Sequence, residues 1–599
     1  MGLAARERLA GLARWLSPDG EPAPTNAPLP ARSWEWAVLL AILVVAWYVR
    51  FHDLSTFPSG FHGDEAVAGL EGQRILTDGW IGPYSPGALG QPTGPLYLTA
   101  LSIRLFGDTI FAVRFVPALM GLLTVAAWYV VLRRNLGPTV ALVGAGLLAV
   151  LGWHIHFARI GFPLETWPLT IVLATGALME ALRGGRTVWW AAAGAFAGLG
   201  IHAYNAHPLF LAALGLFVVQ RVYGWRPVAA LAALAGYVVA PNALWLAALV
   251  FGILGVLTSR RLASAERFAR LSALGVALAI AVLPMVRFAA DQNSGYFDHL
   301  RLTSVVNKEE WTSLEGTVAR SRFLGDRYVD FWDQLVREPR LDGADATGVA
   351  PVVPWATLAL AGIGVVVGSL RRRRDALVML GAVVVVVMPL AAVLSVDGVA
   401  RRTFAMAPFL ALLGAVGAVG LVRLGWRRGP LAGGLAVATM TALVGWSANQ
   451  NLTGEFSTLR GSSAEAWVFA REMTEAAAFM DELPPGSHVY FYSDRWSVNY
   501  ETRQYLAPDV GAEDRSVKFG EDRFKEFGEH NFVIDPRAGE PVFVFLDTYL
   551  DRVAEVRRLY PGGEVVEGAL LAGRPTFVAY APPARIVIDE VSCQRTVGR

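Results

Sequence analysis

Two adjacent carboxylates, Asp64 and Glu65, follow the first long apolar part of the chain, within the segment 61–66. A carboxylate at the exit of a membrane-spanning helix can remove a proton from a hydroxyl group, so this pair indicates chemistry at a membrane surface. If the pair lies on a helix, its two side chains point about 100° apart and cannot address the same atom. The alternative is that both residues only open a helix at its N-terminal end, where acidic side chains are favoured.

The composition of the chain is that of a protein built mainly for lipid. Of its 599 residues, 54% are hydrophobic and only 17% are charged, whereas soluble domains carry about 25% charged residues. The formal net charge of +2 says little about partners. The apolar composition leads us to expect the bilayer as a partner, and we expect no nucleic acid. The single cysteine, Cys593, excludes a disulfide framework.

Long apolar segments recur along the chain. If about 17 to 25 apolar residues make one span, the sequence contains about 13 candidate transmembrane helices. They lie near residues 35–50, 109–132, 138–156, 163–182, 187–203, 207–223, 226–241, 243–258, 271–289, 352–370, 376–395, 403–423 and 430–447. The run 226–258 is divided at Pro241, because a single helix of that length would overshoot an ordinary bilayer.

Arginine is concentrated in alternate turns between these segments, for example at Arg133 and Arg134 and in the run 371–374. By the positive-inside rule such turns are cytoplasmic, and so is the N-terminus. An odd number of spans then places the C-terminus outside. We therefore predict a multi-pass plasma-membrane protein.

The spans and loops divide the chain into domains. An amphipathic helix pattern at 464–483 and short β-type runs at 488–492, 542–545 and 576–580 predict a small α/β domain at the C-terminal end. The predicted parts are a cytoplasmic segment (1–34), a membrane domain (35–447) with outer loops (52–108 and 288–351), and an extracytoplasmic α/β domain (448–599).

Further motifs follow the acidic pair in the first outer loop. They are a Pro-rich segment at 91–97, a Phe-Gly turn at 106–107 and Arg114 in the next apolar segment. In this order the motifs resemble the GT-C membrane glycosyltransferases, in particular the branch that contains protein O-mannosyltransferases and the aminoarabinose transferase of lipid A (glycosyltransferase family 39). The resemblance covers roughly residues 35–447 and implies a mainly α-helical, polytopic GT-C-like bundle.

The resemblance implies an inverting transfer of a sugar from a polyprenyl-phosphate donor to an extracytoplasmic protein, glycan or lipid. Such a transfer needs one base for the acceptor hydroxyl and cations for the departing phosphate. It implies Asp64 as the general base, while Glu65 orients the acceptor or holds a cation. A polytopic transporter or flippase of lipid-linked sugars is the alternative function, since it would explain many spans without transfer chemistry.

Arginines near the outer ends of helices run against the positive-inside bias. Guanidinium groups bind phosphate through paired hydrogen bonds, and the resemblance implies that Arg159, Arg401 and Arg402 hold the donor phosphate. The alternative is that these side chains snorkel to lipid headgroups. Weaker candidates of the same kind are Arg74, Arg104, Arg114 and Arg287.

We expect the substrate to contact polar and aromatic side chains of the outer loop and the outer helix ends. The predicted substrate-binding residues are His62, Tyr84, Gln91, His154 and Tyr204. Gln91 begins the segment in which the aminoarabinose branch commonly has a lysine. Its amide can hydrogen-bond a sugar hydroxyl, but the missing positive charge must come from elsewhere.

All nine histidines are extracytoplasmic in this topology. Mixed histidine and carboxylate ligands suit zinc, so a divalent cation site is a further hypothesis. Its candidate ligands are Glu65, His154, His156, His202 and His207. The alternative is that these side chains hydrogen-bond sugars or headgroups, and the sequence assigns no other cofactor.

Overall fold

The computed structural model describes most of the chain. The described residues are 33–184, 186–223, 265–291, 294–337, 351–370, 375–396, 399–516, 528–535 and 537–583. The predicted spans 226–241 and 243–258 lie outside the described residues, as do the arginine run 371–374 and nearly all of the segment 1–34.

The described part of the chain is mainly helical. Up to residue 223 the helices are α1 (Ser33–Phe51), α2 (Gly63–Asp78), α3 (Gly94–Phe106), α4 (Ile110–Leu136), α5 (Pro138–Ala149), α6 (Gly152–Arg159), α7 (Thr166–Gly184), α8 (Thr187–Leu199) and α9 (His207–Tyr223). From residue 265 onwards they are α10 (Ala265–Ala289), α11 (Tyr296–Thr303), α12 (Glu309–Thr312), α13 (Gly316–Val336), α14 (Trp355–Leu370), α15 (Ala376–Val387), α16 (Leu390–Val393), α17 (Val399–Thr403), α18 (Ala407–Arg428), α19 (Pro430–Thr453), α20 (Ser463–Val468), α21 (Arg471–Asp481), α22 (Glu501–Leu506) and α23 (Val553–Leu559).

The chain folds into two compact units. The helical unit contains the described residues of Met1–His52, Asp78–Leu98 and Phe115–Thr458. The sheet unit contains those of Asp53–Thr77, Thr99–Arg114 and Leu459–Arg599. Two stretches of the first predicted outer loop therefore belong to the same compact unit as the C-terminal part of the chain.

Six helices among the described residues are long and apolar enough to cross a membrane, or up to seven if α5 and α6, which are bent by 53° relative to each other, form one span. The six are Ser33–Phe51, Ile110–Leu136, Glu266–Ala289, Ala376–Val393, Ala400–Arg428 and Pro430–Leu459. The protein is thus a multi-pass membrane protein.

The predicted number of about 13 spans is not confirmed. An α-helix needs about 20 apolar residues to cross the hydrocarbon core. Several predicted spans form shorter helices, namely α8 with 13 residues, α14 with 16 residues and α9 with 17 residues. Helices α8 and α14 are shorter than the spans predicted at 187–203 and 352–370, whereas α9 has the predicted bounds 207–223.

Helix α18 is enclosed over most of its length, since every residue from Ala407 to Gly420 is buried. Its packing against α14 depends on two glycines. A side chain at Gly364 would run into the main-chain carbonyl of Leu413, and one at Gly417 into that of Leu360. Small residues let two membrane helices approach closely, because only backbone atoms then separate them.

The sheet unit contains a five-stranded sheet among its described residues, in the order β4-β3-β5-β9-β6. The strands of the protein are β1 (Tyr84–Ser85), β2 (Gln91–Pro92), β3 (Ser487–Tyr492), β4 (Gly511–Asp514), β5 (Glu540–Phe545), β6 (Glu564–Glu567), β7 (Leu570–Leu571), β8 (Arg574–Pro575) and β9 (Val578–Ala581). Strands β4, β3 and β5 are parallel, whereas β9 pairs antiparallel with both β5 and β6. The three predicted β-type runs thus fall on β3, β5 and β9.

Each face of the sheet has its own core. On one face, Val489, Phe491 and Val544 pack with residues of α21 such as Met473 and Met480. On the other face, a set of aromatic rings packs together: Tyr490, Tyr492, Phe532, Phe543, Phe545, Tyr549 and Tyr580. This alternation is expected of strands buried on both sides.

The predicted single helix at 464–483 is divided into α20 and α21. The break lies at Ala470, which has a φ of 52°, a left-handed conformation that alanine rarely adopts. Because the helix is broken at Ala470, α21 can turn its buried residues Met473 and Met480 towards the sheet.

Candidate active site

Helix α2, which carries Asp64, begins with a reciprocal cap. The His62 Nδ1 accepts a hydrogen bond from the Asp64 N–H at 3.0 Å, and the Glu65 Oε2 accepts one from the His62 N–H at 3.0 Å. This resembles a capping box, but a histidine ring replaces the usual serine or threonine and accepts from the second helical N–H instead of the third. The carboxylate of Glu65, the third residue of the helix, therefore has a role in starting the helix.

Glu65 is also the partner of Arg114. The Arg114 Nε donates to the Glu65 Oε1 at 2.8 Å, and the Arg114 Nη2 donates to the Glu65 Oε2 at 3.0 Å. Arg114 further donates to the main-chain carbonyls of Pro58, at 2.9 Å, and of Gly60. Both side chains are fully buried, and the two Glu65 carboxylate oxygens accept hydrogen bonds from Arg114 and from the His62 N–H.

Asp64 differs from Glu65 in its exposure. Its side chain is half-buried, whereas Gly63 and Glu65 on either side are buried. Asp64 is thus partly exposed, in the first turn of a helix whose start is held by the hydrogen bonds of His62 and Glu65. Accessibility combined with a rigid backbone is what a general base requires.

Residues from the C-terminal part of the chain hold the segment that leads into α2. The Phe61 N–H donates to the Thr474 Oγ1 at 2.8 Å, and the Thr502 Oγ1 donates to the Phe61 carbonyl at 2.6 Å. The Gly63 N–H donates to the Tyr500 Oη at 3.0 Å. Each of these contacts joins residues more than four hundred positions apart, so sequence spacing gave no signal for them.

Tyr84 and Gln91 lie next to each other in the helical unit, on the short antiparallel pair β1 and β2. The ring of Tyr84 is buried and packs against Tyr296, with ring centroids 4.9 Å apart, and against Phe288, at 5.8 Å. Burial raises the pKa of the Tyr84 hydroxyl well above its usual value, and the neighbouring Tyr296 adds to the effect. The phenol is therefore neutral and can serve as a hydrogen-bond donor.

The segment that contains Tyr204 approaches the same hairpin. The Asn205 Nδ2 donates to the carbonyl of Gly90 at 3.0 Å, and the Tyr204 ring lies 4.8 Å from the ring of Trp167. Three of the five predicted substrate-binding residues, Tyr84, Gln91 and Tyr204, are thus brought into one region of the helical unit. His62 belongs to the sheet unit.

The predicted phosphate-binding arginines have different surroundings. The Arg159 Nη1 and Nη2 donate to the main-chain carbonyls of Val49 and His52, each at 2.8 Å, and the guanidinium is buried. Arg159 therefore links α6 to the end of α1. Arg401 and Arg402 are half-buried, and the Arg401 guanidinium lies 4.5 Å from the centroid of the Phe162 ring.

His154 and His156 are both buried, but they face different partners. The His154 Nδ1 lies 2.8 Å from the Arg50 Nη2, and its Nε2 lies 3.1 Å from the Glu165 Oε1. The His156 Nδ1 lies 3.4 Å from the Glu455 Oε1. Arg50 and Glu165, fully buried partners of His154, had not been predicted as site residues.

The remaining metal candidates are dispersed as well. The His207 Nδ1 accepts from the Trp167 Nε1 at 2.8 Å, and the His202 Nε2 lies 2.8 Å from the carbonyl of Ala281. In the part of the chain that the structure describes, no three histidine, cysteine, aspartate or glutamate side chains are grouped so that they could hold a metal ion. The zinc hypothesis therefore gains no support from these histidines.

Comparison with known proteins bears on the helical unit. The family model described as dolichyl-phosphate-mannose-protein mannosyltransferase matches residues 90–245. This segment resembles the protein O-mannosyltransferases. The match confirms the resemblance that the loop motifs indicate. The mannosyltransferase-like segment includes Gln91, Arg159 and Tyr204, whereas Asp64 precedes it.

Solved structures of similar chains include two GT-C proteins. ArnT from Cupriavidus metallidurans bound to undecaprenyl phosphate is 14% identical, with a TM-score of 0.47, over 92% of this chain and 99% of that chain. The apo oligosaccharyltransferase of Archaeoglobus fulgidus is 14% identical, with a TM-score of 0.43, over 90% of this chain and 70% of that chain. None of the curated protein sequences matches this chain.

Proposed function

We propose that the protein is an inverting glycosyltransferase that moves a sugar from a polyprenyl phosphate to a hydroxyl group of an extracytoplasmic acceptor. The observation that supports the proposal is the half-buried Asp64, on a helix start held by the buried Glu65–Arg114 pair. The match of residues 90–245 to a family named for dolichyl-phosphate mannose supports the choice of donor.

Asp64 acts as the general base of the transfer. It accepts the proton of the acceptor hydroxyl while that oxygen forms a bond to the anomeric carbon of the sugar. The bond between this carbon and the phosphate oxygen breaks, and the lipid phosphate leaves with the electron pair. Attack opposite the leaving group inverts the configuration at the anomeric carbon.

Arg401 and Arg402 hold the departing phosphate. Both are half-buried at the short helix α17, and guanidinium groups stabilise phosphate charge through charge-assisted hydrogen bonds. Arg159 was predicted from the sequence as a third phosphate-binding residue, but its guanidinium donates to two main-chain carbonyls. We therefore assign Arg159 to the packing of α6 against α1.

The sugar is bound near the hairpin that carries Tyr84 and Gln91. The Gln91 side chain is buried, and its Nε2 has no hydrogen-bond partner among the described residues. A buried amide hydrogen without a partner costs free energy, which a sugar hydroxyl would recover by accepting a hydrogen bond. The carboxylate base and this hairpin both derive from the predicted first outer loop, so we place the reaction on the extracytoplasmic side of the plasma membrane.

The test uses the full-length protein in lipid nanodiscs. Radiolabelled dolichyl-phosphate mannose is the first donor, other polyprenyl-phosphate sugars follow, and membranes of a host that lacks the protein supply the acceptors. Release of polyprenyl phosphate and transfer of label are measured together. Asp64→Asn should lower turnover by a factor of about 10² to 10⁴, whereas Asp78→Asn, at the other end of α2, should retain the parent rate.

Two outcomes would contradict the proposal. A fully active Asp64→Asn variant would reject Asp64 as the base. Movement of the labelled donor between leaflets without release of polyprenyl phosphate, equal in parent and variant, would instead establish a flippase.

A further inference from the structure

The hydroxyl of Tyr500 contacts the residue that directly precedes Asp64. The Gly63 N–H, the first of helix α2, donates to the Tyr500 Oη at 3.0 Å. The first N–H groups of a helix have no partner within the helix, and another group must satisfy them when they are buried. Gly63 is buried, so Tyr500 supplies an interaction that the helix itself cannot.

The fit between these two residues is close. A Cβ atom at position 63 would lie 2.6 Å from the Tyr500 Oη and 2.9 Å from its Cζ. The phenol ring therefore packs directly on the Cα of Gly63, and no side chain can come between them. This contact fixes the backbone from which the Asp64 side chain projects.

Tyr500 is also within electrostatic range of the carboxylate. Burial raises the pKa of Tyr500 to about 12, and the charges of Glu501 and Asp64 contribute in the same direction. The hydroxyl is thus neutral at physiological pH and remains an oxygen acceptor for the Gly63 N–H. A neutral Tyr500 hydroxyl can hold the start of α2 without competing with Asp64 for the proton that the substrate hydroxyl releases.

We propose that Tyr500 is a positioning residue for Asp64, which holds the first turn of α2 in the orientation that the base needs. The inference rests on the proposed function. Tyr500 does not contact the reacting atoms in this scheme. It acts through Gly63, and it makes a residue of the C-terminal region part of the catalytic arrangement.

Tyr500→Phe isolates the hydroxyl, because the ring that packs on Gly63 is kept. Tyr505→Phe is the matched control, since Tyr505 is buried on the adjacent helix α22 and its hydroxyl makes only a 3.4 Å contact with the carbonyl of Thr109. Both variants are made in the full-length protein. Thermal unfolding in nanodiscs verifies that each is folded.

Hydrogen exchange and kinetics then give two separate readouts. Exchange at the Gly63 amide, followed by mass spectrometry, should accelerate on the order of tenfold in Tyr500→Phe, the effect of one lost hydrogen bond. The kcat for transfer from the labelled donor should fall by about 10-fold to 100-fold, because a small displacement of a catalytic group is enough for such a loss. The KM for the donor should stay at the parent value, and Tyr505→Phe should leave all three quantities unchanged.

The outcomes separate this inference from the proposed function. If the parent transfers sugar and Tyr500→Phe keeps the parent exchange rate or the parent kcat, the role of Tyr500 is overturned while the glycosyltransferase assignment stands. A rise in KM that accounts for the whole loss would also overturn it, since that would indicate a binding residue. If the parent releases no polyprenyl phosphate from any donor, the proposed function fails and the catalytic role of Tyr500 fails with it.

Discussion

Arg114 and Glu65 form a bidentate ion pair with both side chains fully buried. Arg114 uses its remaining donors on the carbonyls of the segment that precedes α2. The pair thus joins three elements, namely the start of α2, the loop before it and the first turn of α4. Asp64 owes its fixed position to this arrangement.

Glu65→Gln should destabilise the sheet unit strongly. The substitution leaves the Arg114 guanidinium buried without a compensating charge, which typically costs about 3 to 5 kcal/mol. The free energy of unfolding, measured by denaturant titration in detergent, gives the loss directly. Activity should fall together with stability, because Asp64 is adjacent.

A matched exposed pair provides the control for this experiment. Glu529 and Arg558 form an ion pair of 3.0 Å with side chains 63% and 68% exposed. Glu529→Gln should change the unfolding free energy by less than about 1 kcal/mol, as is usual for exposed pairs. Equal effects of the two substitutions would refute the structural role given to Glu65.

Gly63→Ala should impair transfer without unfolding the protein. The new methyl group would meet the Tyr500 hydroxyl at 2.6 Å, closer than van der Waals contact, so the helix start or the ring must move. We expect kcat to fall by about 10-fold or more, as measured by release of polyprenyl phosphate. Gly434→Ala is the control, because a Cβ there has no neighbour within 4 Å, and a parent-like Gly63→Ala would show that the contact is not critical.

Arg159→Ala should act on stability. It removes two hydrogen bonds from a charged donor to the carbonyls of Val49 and His52, each worth about 1.5 to 3 kcal/mol. It also removes the contact with the Phe456 ring, 5.2 Å away. A lower thermal midpoint than that of Arg186→Ala, an exposed arginine of the helical unit, is the expected result, and an unchanged midpoint combined with a raised donor KM would restore Arg159 to the phosphate site.

Arg402→Gln should act on donor use. Loss of one charge-assisted hydrogen bond to phosphate corresponds to about 1.5 to 3 kcal/mol, so the donor KM should rise by roughly 10-fold to 100-fold. The thermal midpoint should stay close to that of the parent, because the side chain is only half-buried. Donor titrations of Arg402→Gln and Arg186→Gln side by side provide the measurement, and identical KM values would remove Arg402 from the proposed phosphate cradle.

Local patterns in the sequence were enough to predict individual elements. The span predicted at 35–50 corresponds to α1, and the β-type runs correspond to three strands of the sheet. Apolar runs and alternation carry such information because they act over one helix or one strand. A helix start at the acidic pair 64–65 was considered as the alternative to a catalytic role, and α2 begins at Gly63.

Contacts between distant parts of the chain could not be predicted in the same way. Arg114 was only a weak candidate for phosphate, since nothing in its neighbourhood shows that Glu65 is its partner. Thr474 and Thr502 form hydrogen bonds with main-chain atoms of Phe61. Every residue has such atoms, so these contacts could not be predicted from residue types or spacing. For Arg159 the sequence shows a charge near a helix end, whereas the structure shows that backbone carbonyls take up its donors.

The sheet unit combines segments of the chain that are synthesised at different times. The loop before α2 leaves the ribosome early, but the threonines and the tyrosine that hold it are translated only after residue 459. A nascent chain inserted up to α19 would therefore have the Glu65–Arg114 pair, but not the contacts of this loop with Thr474, Tyr500 and Thr502. The full set of hydrogen bonds to the loop before α2 can therefore form only late in translation.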